Sequence, residues 1–180
     1  MVLFCGVKNG KVNRQIKIAF TGPESSGKTT LAKIIATNFK GDYVEEFARV
    51  YLEGNPTYTQ RDLDVIAEGQ MNLWNIESDF LVADTEMTVM CIWSRYKFGN
   101  ISDKIRNLFE AQQFDLLFLC KPDIPWEFDV LRENPVNRDE LFDLYHSFLL
   151  ENKQNFVVVE GNEQQRLSIV KTAIATLLKK

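Results

Sequence analysis

Histidine is almost missing from this chain: its 180 residues include one, His146. A His-rich metal site and a pair of histidines sharing acid–base work are therefore excluded. Cysteine is scarce and scattered, and Cys5, Cys91 and Cys120 form no Cys-x-x-Cys pair. That argues against a structural zinc site, and an odd, dispersed set reads as reduced thiols, so a cytoplasmic location is expected. No apolar run approaches the ~18 residues that a membrane span needs, and the start, Met1 to Gly6, is too short for a signal-peptide core. Neither sign of charge dominates. The 21 basic and 25 acidic residues sum to −4, which offers no electrostatic footprint for nucleic acid or an anionic membrane. Repeats, low-complexity tracts and Pro/Gly/Ser linkers are absent as well. What is there is 45% apolar and rich in Phe, enough for one domain with a packed core. Its chemistry has to come from backbone groups, Lys, Arg, carboxylates, hydroxyls or a hard metal ion.

Short, nearly continuous apolar runs recur at Ile16–Thr21, Asp42–Glu46, Phe80–Asp84, Asp115–Cys120 and Asn155–Glu160. Runs of this kind suit strands covered on both faces. Helical spacing follows them, as in Leu31, Ile34, Ile35 and Phe39, in Leu141, Leu144, Tyr145 and Phe148, and in Leu167, Val170, Ile174 and Leu177. The alternation predicts a three-layer α/β/α fold around a five-stranded parallel sheet, in one domain over 16–180. Two stretches break the rhythm. Residues 1–15, with Lys8-Asn9-Gly10-Lys11 as a hairpin turn, read as an extra N-terminal ribbon. The Pro-broken, charged segment of about 123–138 reads as a small lid.

Directly after the first run stands Gly22-Pro23-Glu24-Ser25-Ser26-Gly27-Lys28-Thr29-Thr30, a full match to GxxxxGK[ST] between a strand and a helix. Gly22 and Gly27 allow positive φ, so successive N–H groups converge on phosphate oxygens at a helix N-terminus. The segment from Gly22 to Thr30 is thus the predicted ATP cradle, with Lys28 bridging the β- and γ-phosphates and Thr29 a ligand of Mg²⁺. Asp84, at the C-terminal end of the third run, is the second metal candidate. It would also serve there as an N-cap for the segment that follows. No Asn-Lys-x-Asp guanine-reading motif is present, which favours ATP.

A P-loop specifies a nucleotide but not a reaction. Asp42-Tyr43-Val44-Glu45-Glu46-Phe47-Ala48-Arg49 puts carboxylates at the end of the second strand, beside the cradle in an adenylate-kinase-like strand order. Glu46 is the candidate base or sugar-hydroxyl acceptor, and Arg49 a candidate phosphate-steering group. The plainer alternative is an exposed i, i+3 ion pair. Arg132 and Arg138 flank the lid, where closure would bring positive charge to the transferring phosphoryl group and exclude water; both are also readable as solvated loop arginines. Trp126, beside the lid, is the better stacking candidate, whereas Trp74 and Trp93 fall in helical stretches that suit core packing. Glu160-Gly161-Asn162 follows the fifth strand, where such folds hold adenine through backbone groups.

Further blocks are more specific than the P-loop: Glu46-Phe47-Ala48-Arg49-Val50-Tyr51-Leu52, Asp62 with Ile66-Ala67-Glu68-Gly69-Gln70, Asp84-Thr85, Pro122-Asp123-Ile124-Pro125-Trp126, and Leu131-Arg132 with Arg138 behind. With these, the chain from Ile16 to about Leu178 resembles the nicotinamide riboside kinase domain of NadR-type proteins, a branch of the P-loop nucleoside and nucleotide kinases. The resemblance implies transfer of the γ-phosphoryl of Mg²⁺–ATP to the 5′-hydroxyl of a small nucleoside, nicotinamide riboside, giving nicotinamide mononucleotide. It also implies substrate contacts at Glu46, Asp62 and Gln70. Glu86 stands where that family's pattern has the second Asp of an Asp-Thr-Asp triplet, and Phe47 where it has Tyr. The larger NadR proteins carry a helix-turn-helix and an adenylyltransferase domain, and neither is expected in 180 residues with one His. Two other readings stay open: a kinase of another nucleoside or nucleotide, and a P-loop ATPase or GTPase switch without a small-molecule acceptor.

Overall fold

Strands that are apolar on both sides must be covered on both sides, and five such segments build the centre of the chain. They are β1 (Ile16–Thr21), β2 (Asp42–Val44), β3 (Phe80–Ala83), β4 (Leu116–Cys120) and β5 (Phe156–Val159). The computed structural model describes residues 14–54, 57–128 and 136–179. The N-terminal ribbon therefore lies outside the described residues save for Arg14 and Gln15, and Arg132 of the lid lies outside them too. All strand pairings are parallel, in the order β2-β3-β1-β4-β5. β1 sits in the middle, with Ile18 paired to Val82 on one side and to Leu116 on the other.

The period-2 alternation of each strand divides the core into two layers. Ile18, Phe20, Val82, Leu116 and Phe118 pack on one side with α1 (Lys28–Phe39) and α7 (Glu163–Leu177). Ala19, Leu81, Leu117 and Leu119 pack on the other with α2 (Phe47–Tyr51), α3 (Gln60–Leu73), α4 (Met87–Phe98), α5 (Asp103–Ala111) and α6 (Arg138–Glu151). The sheet of parallel strands between two helical layers is the expected architecture. Among the described residues no helix is long and apolar enough to cross a membrane.

Two local expectations change. The second run stops being a strand at Val44, because Glu46 turns to become the N-cap of α2. Leu144, assigned to the buried stripe of α6, is 42% exposed, and Leu149 takes its place in the core. α4 is buried along Met87–Ile92 because α3, α5 and α6 all pack against it. That leaves its later residues, Trp93 and Tyr96, to face the open end of the sheet.

Candidate functional site

The C-terminal ends of β1, β3 and β4 converge where β1 feeds α1 through the Gly-rich loop. Gly22 has φ 124°, and a Cβ there would come within 2.7 Å of the Cys120 carbonyl oxygen, so only Gly lets the loop leave the sheet at this point. Gly27 has φ 82° and opens α1. Between them Ser25 holds φ 50°, and the Ser26 hydroxyl donates to the Pro23 carbonyl at 2.7 Å. The loop is thereby wound into a concavity. Lys28 leans across it, its Nζ donating to the Gly22 and Pro23 carbonyls at 2.9 and 2.7 Å.

A cavity of about 210 Å³ opens over this loop, with Gly22 to Thr30 as its floor. Glu46, Ala48 and Arg49 from the start of α2 form one wall, and Tyr58, Trp93, Tyr96 and Lys97 form another. Glu46 Oε2 and Arg49 Nε are 3.4 Å apart, an i, i+3 pair that borders the cavity rather than facing away from it. Trp93 Nε1 donates to the Tyr58 hydroxyl at 2.6 Å, the two rings meet edge to face at 4.9 Å, and Lys97 Nζ lies 4.5 Å from the Tyr58 centroid. Trp93 is half-buried: it packs against the core, as expected, and also belongs to this wall. Tyr145 also lines the cavity; burial, then the Glu86 and Glu24 carboxylates, push its hydroxyl well above the ordinary range, so it stays protonated.

Asp84 follows β3 and is 2% exposed. Its N–H donates to the Val44 carbonyl at 2.9 Å, and its Oδ2 accepts from the Tyr43 hydroxyl at 3.0 Å. Burial and then the Asp84 carboxylate raise the Tyr43 pKa, keeping that hydroxyl a donor. Asp84 Oδ1 is buried without a hydrogen-bond partner. An unpaired buried carboxylate oxygen at the end of the strand beside the P-loop fits a cation whose other ligands come from Thr29, phosphate and water. Among the described residues no cluster of three His, Cys, Asp or Glu side chains would hold a cation by itself.

Other expected site residues lie outside the cavity lining and bond to neighbouring elements. Asp62 is the N3 member of a capping box, its Oδ2 accepting from the Thr59 N–H at 2.7 Å and its Oδ1 from the Tyr51 hydroxyl at 2.8 Å. Gln70 is buried and ties the entry of α2, accepting from the Phe47 N–H and donating to the Glu45 carbonyl. Trp126 stays outside the cavity lining, 5.6 Å beneath the Arg138 guanidinium. Arg138 donates to the Ser25 carbonyl at 3.0 Å and to the Ile124 carbonyl at 3.1 Å, clamping the lid's first residues onto the P-loop. The Glu127 N–H completes that contact on Ser25 Oγ at 2.9 Å. Glu86 caps α4 from inside, its Oε2 accepting from the Thr88 N–H at 2.7 Å and from Gln112 Nε2 at 2.9 Å. Gly161 does not offer its N–H to the cavity either, since Asp123 Oδ2 accepts it at 2.7 Å.

Sequence reasoning missed the Tyr58–Trp93–Tyr96 wall and Arg166. The wall joins Tyr58 to Trp93 and Tyr96 of α4, the nearer of them 35 positions away, and the three share no motif. Asp62 was readable: Thr59-Gln60-Arg61-Asp62 before an apolar stripe is a capping signature.

Residues 17–166 match a family described as an AAA domain. The chain belongs to this P-loop family. Within it, the chain is 31% identical over 158 residues to the trifunctional NAD biosynthesis/regulator protein NadR of Escherichia coli K12, covering 81% of this chain and 38% of that protein. NadR of Salmonella typhimurium LT2 is 30% identical over 155 residues, with the same 38% covered. The chain thus spans about two fifths of the length of these curated relatives. Among solved structures, NadR in complex with NAD and AMP-PNP superposes with a TM-score of 0.72 at 19% identity, over 90% of this chain and 49% of that one. NadR in complex with NR gives 0.70 at 17%, over 89% and 51%. A deoxyadenosine kinase from M. mycoides with bound dCTP gives 0.60 at 15%, over 89% of this chain and all of the other. At these identities the likeness establishes the fold alone.

Proposed function

We propose that this AAA-domain protein is an ATP- and Mg²⁺-dependent kinase that phosphorylates the 5′-hydroxyl of nicotinamide riboside, giving nicotinamide mononucleotide. The carrying observation is one cavity in which the phosphate cradle faces a wall of Tyr58, Trp93 and Tyr96 with Glu46 at its edge. A cationic pyridinium is stabilised by aromatic faces and a carboxylate. Homology to NadR of Escherichia coli, and the fold shared with a NadR protein in complex with NR, support the same acceptor.

In this reading the N–H groups of the loop from Gly22 to Thr30 hold the donor's β- and γ-phosphates. Lys28 leaves the Gly22 and Pro23 carbonyls to pair with them, exchanging two neutral acceptors for a charged one. Thr29 and Asp84 would hold Mg²⁺, which supplies charge neutralisation on the phosphates when bound. Glu46 orients the ribose hydroxyl and accepts its proton as the oxygen attacks phosphorus. Arg49 steers phosphate. Arg138, together with Arg132, neutralises charge on the transferring group once the lid closes, which requires Arg138 to exchange the Ser25 carbonyl for a phosphoryl oxygen. Asp62, Gln70 and Trp126 act on the acceptor only by holding the elements around it.

The test is an assay of Mg²⁺–ATP with a nucleoside panel that includes nicotinamide riboside and deoxyadenosine. Nicotinamide mononucleotide is the expected product. A phosphorylated product from deoxyadenosine alone would move the assignment to another nucleoside, and ADP formed equally with and without every acceptor would defeat the kinase reading. Lys28→Ala is expected to lower kcat at least a hundredfold with the circular-dichroism spectrum unchanged.

A further inference from the structure

Arg166, on α7, is 3% exposed and lies outside the cavity. A guanidinium is not buried unless nearly every donor is satisfied. Here its Nε donates to the Gly161 carbonyl at 2.7 Å, Nη1 to the Ser26 carbonyl at 2.9 Å and Nη2 to the Lys121 carbonyl at 2.7 Å, with the Asp123 carboxylate as counter-ion. Asp123 in turn accepts the Gly161 N–H. One side chain therefore joins the three loops that leave β1, β4 and β5. α7 delivers it from a fixed position, because Asn162 and Gln165 form a capping box at the helix start.

The bond to Ser26 has a consequence on the other side of the peptide. All described peptide bonds are trans, so the Ser26 carbonyl and the Gly27 N–H lie in one plane and point in opposite directions. Holding the carbonyl against the α7 side turns the Gly27 N–H away from it, toward the cavity that Gly27 lines. A charged donor on the carbonyl also polarises the peptide and strengthens the N–H on its far side. Gly27, at φ 82°, has no side-chain restraint of its own to keep that plane from rotating.

We propose that Arg166 is a positioning residue for phosphate binding: it fixes the Ser26–Gly27 peptide plane so that the Gly27 N–H is preorganised for the donor's phosphates. This rests on the nucleotide-binding reading of the same loop. Arg166→Lys keeps the charge and the packed stem but cannot reach three carbonyls at once, and Arg166→Met removes every donor.

The experiment measures dissociation constants for Mg²⁺–ATP and for inorganic tripolyphosphate at a temperature well below each variant's Tm, with KM for the acceptor alongside. In Arg166→Lys both constants are expected to rise about tenfold and kcat to fall, with acceptor KM unchanged. Arg166→Met follows the same pattern more strongly if it folds. A lower Tm with both constants within twofold of wild type overturns the proposal, because the arginine would then only stabilise the fold. A loss confined to ATP, with tripolyphosphate unaffected, also overturns it by putting the effect at the base. Wild-type chain that binds both ligands yet phosphorylates no nucleoside removes the acceptor assignment and leaves the arginine result standing. Wild-type chain that binds neither removes both.

Discussion

Glu86 illustrates how a single residue changes meaning once its surroundings are known. It follows Asp84-Thr85 and has a carboxylate where that motif invites a ligand, but its side chain is fully buried, with Oε2 accepting from the Thr88 N–H and Gln112 and Oε1 buried without a hydrogen-bond partner. Burial raises its pKa above the ordinary carboxylate value, against the opposing pull of the Thr21 hydroxyl and the Thr88 N–H. The folded state therefore binds the proton more tightly than the unfolded one. Below about 4.5 the acid is protonated in both states and costs nothing, and as pH rises through the window up to the folded pKa, stability falls. Glu86→Gln keeps an acceptor for both N–H donors and cannot ionise. It should raise Tm at pH 8 relative to wild type and leave Tm at pH 4 little changed, by thermal unfolding at the two pH values. Equal effects at both would assign its role to packing alone.

At the scale of elements, α2 is the sensitive one. Five residues make an α-helix too short to stand alone. It is held by Gln70 at its entry and by Phe47 lying against α3 at Gly69, where an added Cβ would meet the ring at 2.3 Å. α2 is preceded by its N-cap Glu46 and carries Arg49, so a shift here moves one cavity wall and not the cradle. Gly69→Ala is expected to cost about 1–3 kcal/mol from overpacking. It should also raise acceptor KM severalfold while KM for ATP holds. Steady-state kinetics with each substrate varied would show it, and an equal rise in both constants would mean that the disturbance reaches the P-loop. The blocks that carried the family resemblance fall on these same supports: Gly69 and Gln70 brace α2, and Asp62 caps α3.

For the whole molecule, the sheet is the rigid base on which every loop of the site is mounted. Phe20 and Phe118 stack at 5.2 Å on the α1/α7 side, fully buried. Phe118→Ala should cost about 3–5 kcal/mol, a large part of the ~5–15 kcal/mol that holds a domain together. Urea unfolding would read it, and activity per folded molecule should persist because Phe118 is not among the residues that line the cavity. The sequence by itself determined the layered fold, since strands apolar on both faces admit few arrangements. It also determined the wound Gly-rich loop between β1 and α1, since backbone N–H groups turned by Gly22 and Gly27 need only local spacing. Which side chains would face that loop depended on tertiary structure. Tyr58, Trp93 and Tyr145, which line the cavity over it, are far apart in the chain, and polar side chains are interchangeable in sequence between capping a helix and touching a substrate. Packing set where each one lies: Asp62, Gln70 and Glu86 bond backbone N–H groups outside the cavity lining, whereas the aromatic residues and Glu46 line it.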